Sequence, residues 1–73
     1  MQVLSDLSIG KTALIGQLNV AGDQQMKLLG LGVNTGVRVS VLRNRGGDMV
    51  LALGNARIGV GRTLSCVIEV SLV

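Results

Sequence analysis

Val37-Arg38-Val39-Ser40-Val41-Leu42-Arg43 begins with strict alternation. Its three valines share one face, while Arg38 and Ser40 point the other way. Period two with β-branched side chains on one side is the mark of a half-buried strand. Moving toward the C-terminus, Met49, Leu51 and Leu53 repeat the pattern, with Val50 and Ala52 on the reverse face. Asn44-Arg45-Gly46-Gly47-Asp48 between the two runs reads as a loop. Gly54-Asn55 then lies between apolar runs, a hairpin signal. Beyond it Ile58 and Val60 alternate with Arg57, Gly59 and Gly61, and Ile68, Val70 and Leu72 oppose Glu69 and Ser71.

Toward the N-terminus, Thr12 to Val20 forms one more strand, with Ala13, Ile15, Leu18 and Val20 as its inward set. The phase slips by one between 15 and 18, and Gly16 is the natural place for a bulge. Asp23 is positioned to cap a short helix over 24–31, with Met26/Leu29 and Leu28/Leu31 paired at i, i+3. Gly32 serves as its stop. A two-turn helix is unstable alone and must dock on the sheet. About five antiparallel strands with one helix in the first crossover predict a mainly β chain, curved into a small barrel.

The composition suits that reading and narrows the chemistry. Of 73 residues, 48% are hydrophobic and 15% charged, against a usual ~25% charged, so a disordered chain is not expected. The length allows one domain, residues 1–73. No proline, histidine or aromatic residue occurs. Without histidine, the commonest general base and transition-metal ligand are gone. The four carboxylates, Asp6, Asp23, Asp48 and Glu69, are dispersed, and Cys66 has no second cysteine to share a zinc ion or a disulfide. We therefore expect neither an enzyme nor a bound metal or cofactor. A lone cysteine points to a reducing, cytoplasmic setting. Between Leu64 and Val67, Cys66 reads as a buried thiol.

Two glycine patterns invite a nucleotide reading and fail it. Gly10-Lys11-Thr12 resembles the end of a phosphate-binding loop, but Ser5 stands where that loop needs glycine. Gly30-x-Gly32-x-x-x-Gly36 is one residue too long for a dinucleotide fingerprint and follows a helix rather than a strand. Both read as turns. The longest uncharged stretch, Thr12 to Gly22, is 11 residues, against ~20 for a membrane-spanning helix. Asp6 and Lys11 interrupt the region where a secretory leader would need its apolar core.

At this point the residues resemble a known family. Met26-Lys27-Leu28-Leu29-Gly30-Leu31-Gly32-Val33-Asn34-Thr35-Gly36-Val37-Arg38-Val39 is similar to the FeoA signature L-x-x-L-G-[LM]-x-P-G-x-x-[VF]-x-V, with Leu28, Leu29, Leu31 and Gly36 on family positions. Gly47-Asp48 resembles its G-D-P, and Val67-Ile68-Glu69-Val70 its I-x-V close. The strand 56–60 ahead of the basic Arg62 fits as well, as does the opening Leu4-Ser5-Asp6-Leu7-x-x-Gly10. Thr35 and Met49 replace two family prolines, which only pre-set φ in such turns. The resemblance implies an SH3-like barrel and a small cytoplasmic accessory protein of bacterial ferrous iron uptake. Its implied partner is the FeoB-type membrane transporter, through the cytoplasmic GTP-binding part.

A chain without catalytic chemistry can act by docking. Leu28, Leu29 and Leu31 exceed what two helical turns bury on one face. They either fill the core, or Leu28 or Leu31 lines a groove for a partner segment. Leu14 and Val50, on the reverse phase of their strands, are similar cases. Arg43, Arg57 and Arg62 are solvated cations or, if the fold gathers them, a polar rim to that groove. Two other classes remain open. One is a sensor or interaction module akin to the C-terminal barrel of iron-dependent repressors, although no DNA-reading helix is visible. The other is a nucleic-acid-binding barrel, which the net charge of +3 permits but the absence of stacking rings disfavours. The apolar run 67–73 could also form an exposed edge and give a weak homo-oligomer.

Overall fold

The computed structural model describes residues 2–73. Among these described residues, six strands form one antiparallel sheet in the order β1-β6-β2-β3-β4-β5. They are β1 (Gln2–Val3), β2 (Thr12–Leu18), β3 (Arg38–Arg45), β4 (Asp48–Leu53), β5 (Ala56–Gly61) and β6 (Ile68–Leu72). A 3-10 turn, Leu4–Asp6, follows β1; helix α1 (Asp23–Gly30) joins β2 to β3, and the single turn α2 (Arg62–Ser65) joins β5 to β6. Ile15, Val39, Val41, Met49, Leu51, Val60, Ile68 and Val70 meet in one buried cluster. Residues from every long strand can meet there only if the sheet is strongly curved, which is the expected small barrel. The sixth strand is the two-residue β1, too short to leave an alternating signature.

Alternation predicts the inward faces well. Ala13 and Ile15 are buried, with Leu18 and Val20 packed against the core. The β2–β6 register slips between Ile15 and Leu18 as expected. Gly16 also sits close against β6. A Cβ on it would lie 3.1 Å from the Glu69 carbonyl oxygen of β6. The turn that carries threonine in place of the family proline is fixed by hydrogen bonds instead. The Thr35 hydroxyl donates to the Gly16 carbonyl at 2.7 Å, and the Gly36 N–H to Ile15 at 2.7 Å.

Helix α1 starts one residue earlier than expected. Asp23 is inside it and makes no capping bond; Gly22, at φ +63°, occupies the cap position. The carboxylate then sits in the first turn, where the helix dipole favours it. The C-terminus closes as a Schellman motif. Gly32 has φ +92°, its N–H donates to Leu29 at 3.0 Å, and the Val33 N–H donates to Leu28 at 2.9 Å. Leu28 and Val33, the apolar pair that accompanies this motif, are both fully buried.

Three further expectations are corrected. Asn44 and Arg45 belong to β3 and Asp48 opens β4, so Gly46-Gly47 alone makes the turn. Strand β6 is not a free edge, because β1 and β2 flank it and the edges are β1 and β5. Cys66 is exposed, not buried. Helical turn α2 directs Ser65 inward, and the Cys66 thiol donates outside it to the Thr63 carbonyl at 3.3 Å.

Candidate docking surface

Two surfaces stand out, and local chain geometry produces both. On α1, Leu28 is the one side chain buried. Its neighbours remain in solvent: Met26 is 71% exposed, Leu29 45% and Leu31 36%. An eight-residue helix that sinks one leucine, leaves Met26 and Leu29 outside and ends on an exposed Leu31 cap is more apolar than its packing requires. The segment after it rests on the β4–β5 hairpin. A Cβ on Gly32 would fall 2.8 Å from the end of the Leu53 side chain, which would have to swing aside, and the Gly32 φ of +92° itself favours glycine.

The second surface is the outer face of β3, β4 and β5. The β3–β4 register shifts between Val41 and Arg43, with Leu42 as the extra residue. Bulges re-aim side chains. Without this one, strict alternation would turn Arg43 and Arg45 into the core with Val39 and Val41. With it, both arginines face out, Arg43 opposite Val50 and Arg45 opposite Asp48. Asn44 turns inward instead. Its Nδ2 donates to the Leu7 carbonyl at 2.8 Å and the Ser5 carbonyl at 3.1 Å, tying the N-terminal turn to the barrel. Arg57 opposes Ala52, and Gly59 opposes Val50, on the same outer face. Arg38, two residues before Ser40, faces out as well, opposite Leu14 of β2. A shallow cavity of about 250 Å³ opens among Arg43, Arg45, Gly47, Asp48 and Val50.

Sequence-predicted site residues therefore separate. Leu31 is exposed at the helix end as the groove reading requires. Leu28 is not: it is fully buried, because the Schellman closure and Val33 hold it in the core. Arg43 and Arg57 share the outer face of the sheet. Arg62 lies apart from them, its guanidinium donating to Asn44 Oδ1 at 2.9 Å and the Gly46 carbonyl at 3.3 Å. It braces the β3–β4 turn. Leu14 and Val50 do lie on outward faces. Arg38, Arg45 and Met26 were missed. For Arg45 the cost of burying an unpaired guanidinium is the only signal, and the polar residues beyond Leu42 read as a loop, which hides the slip.

Among the described residues, no group of three or more histidine, cysteine, aspartate or glutamate side chains is arranged to hold a metal ion. No helix among them is long and apolar enough to cross a membrane.

A family model described as the FeoA domain matches residues 2–72. No curated protein matches the chain. Among solved structures, iron(II) transport protein A from Clostridium thermocellum superposes with a TM-score of 0.93 at 31% identity. That match covers 99% of this chain and 46% of the other, so the present chain spans about half the length of that relative. A structure described as an iron uptake regulatory protein, FeoA, has a TM-score of 0.92 at 20% identity, covering 99% and 97%. A manganese-dependent transcriptional repressor shares the fold at a TM-score of 0.87 and 21% identity, covering 99% of this chain and 41% of the repressor.

Proposed function

The chain belongs to the FeoA family, and on that premise we propose that it is a non-enzymatic accessory protein of bacterial ferrous iron uptake. Family membership implies a role in ferrous iron transport; the docking step is our own reading. In it, the protein works in the cytoplasm by binding the GTP-binding part of a FeoB-type membrane transporter and favouring one of its conformations. The carrying observation is the exposure of Met26 and Leu29 on a helix that needs only Leu28 for its packing, and of Leu31 at its C-cap. Apolar side chains spaced along a helix are suited to a groove on another protein. Leu31 is the contact residue in this reading, with Arg57 of the neighbouring hairpin and Arg43 contributing to its polar rim.

The test separates contact from folding. Leu31→Ala should leave the thermal unfolding midpoint nearly unchanged and weaken binding to the transporter's cytoplasmic part by roughly tenfold, as truncation of an interface anchor does. Leu28→Ala should behave oppositely, losing about 2–5 kcal/mol of stability as a truncated core leucine. Unfolding by Leu31→Ala, or undiminished binding, would contradict the assignment.

The repressor likeness favours a second reading: a sensor or interaction barrel attached to another module. Binding of the isolated chain to the transporter part discriminates between the two.

A further inference from the structure

The charge of this protein is distributed unevenly. Arg38, Arg43, Arg45 and Arg57 lie on the outer face of β3–β5 with Asp48 as the single carboxylate. The remaining charged residues balance: Lys11, Lys27 and Arg62 against Asp6, Asp23 and Glu69. The whole net charge of +3 thus resides on one face. Every cation of that face is arginine, and both lysines lie elsewhere. Between Arg43 on β3 and Arg57 on β5 the floor consists of Val50, Ala52 and Gly59. A Cβ at Gly59 would meet nothing within 4 Å. Strands are ~4.8 Å apart, so the β3 and β5 backbones that carry the two arginines run about 10 Å apart on either side of a low, uncharged strip. Arg57 stands two residues further along β4 than Arg43.

We infer that this strip binds an acidic, extended protein segment, its carboxylates held by Arg43 and Arg57 and its backbone lying over Val50 and Gly59. The inference names the chemistry of the partner in the docking function above and rests on that reading. Planar guanidinium groups match carboxylates in two-bonded pairs, a geometry lysine does not offer. A strip about one strand wide with no bulky side chain accommodates a single extended chain. A continuous polyphosphate backbone fits less well, since Asp48 lies among the arginines in the cavity at one end. Nucleic-acid bases would find no aromatic ring anywhere in the chain on which to stack.

The experiment uses the full chain and a fluorescein-labelled peptide of alternating glutamate and serine, followed by anisotropy. The same peptide with glutamine for glutamate, phosphatidylserine vesicles and oligouridine serve as competing probes. The acidic peptide should bind and the glutamine peptide should not. Arg43→Gln and Arg57→Gln should each weaken binding roughly fivefold, both with unchanged circular dichroism. Lys11→Gln removes the same charge from outside the face and should change affinity less than about twofold. Absence of peptide binding, equal loss with Lys11→Gln, or tighter binding of vesicles or oligouridine at the same ionic strength would overturn the inference. So would a complex with the transporter part that forms undiminished in the Arg43→Gln, Arg57→Gln double variant, although docking itself would then stand. Failure of the wild-type chain to form any such complex would instead overturn the docking reading.

Discussion

Asn44 joins three segments that are distant in sequence. Its amide donates to Ser5 and Leu7 near the N-terminus and accepts from Arg62 after β5. Asn44→Ala would leave two carbonyls and a guanidinium without that partner, at a cost of about 1–3 kcal/mol, measurable by urea denaturation. A change below about 0.5 kcal/mol would mean that water replaces the amide freely. Cys66 permits a second test at this scale. As an exposed thiol, it should react completely with Ellman's reagent in the native protein, without denaturant. Protection until unfolding would restore the buried reading. Its surroundings in sequence, Leu64 and Val67, suggest burial, but a four-residue helical turn rotates Ser65 inward and leaves the cysteine outside. A helical turn this short leaves no periodicity to read.

The elements were legible where alternation ran unbroken, except that Leu72, at the end of β6, is 53% exposed. Val39 and Val41, Met49 and Leu51, and Ile68 and Val70 are buried as the pattern requires. The Gly16 slip was also visible, because apolar residues change phase on either side of a glycine. The second slip, at Leu42, was not, since the residues beyond it are polar and looked like a loop. That bulge aims Arg43 and Arg45 outward, so the arginine face was legible only in part. Deleting Leu42 would let the pairs Val41–Leu51 and Arg43–Val50 follow each other in unbroken alternation, with both arginines still facing out. The deleted chain should therefore still fold cooperatively, losing only the local bend that the bulge supplies. Leu42→Ala, at an exposed position, should change stability by less than about 1 kcal/mol. Loss of cooperative folding in the Leu42-deleted chain, monitored by circular dichroism, would show that the barrel depends on the bend at the bulge.

At the scale of the whole molecule, the barrel measures 30 × 25 × 24 Å, several times the ~8 Å screening length at physiological ionic strength. A partner approaching the arginine face therefore meets a positive field that the opposite side does not present. The apolar helix residues and the arginine strip both adjoin the β4–β5 hairpin, which Gly32 and Leu53 link to α1. Function on this account consists of contact through these two surfaces, with no reaction performed by the chain itself. The most direct measurement is a titration of the isotope-labelled protein with the transporter's cytoplasmic part, followed by amide chemical shifts. The account predicts perturbations concentrated at Met26, Leu29, Leu31 and the outer face of β3–β5, with β1 and β6 unmoved. No perturbation at saturating partner, or one centred on β1 and β6, would contradict it.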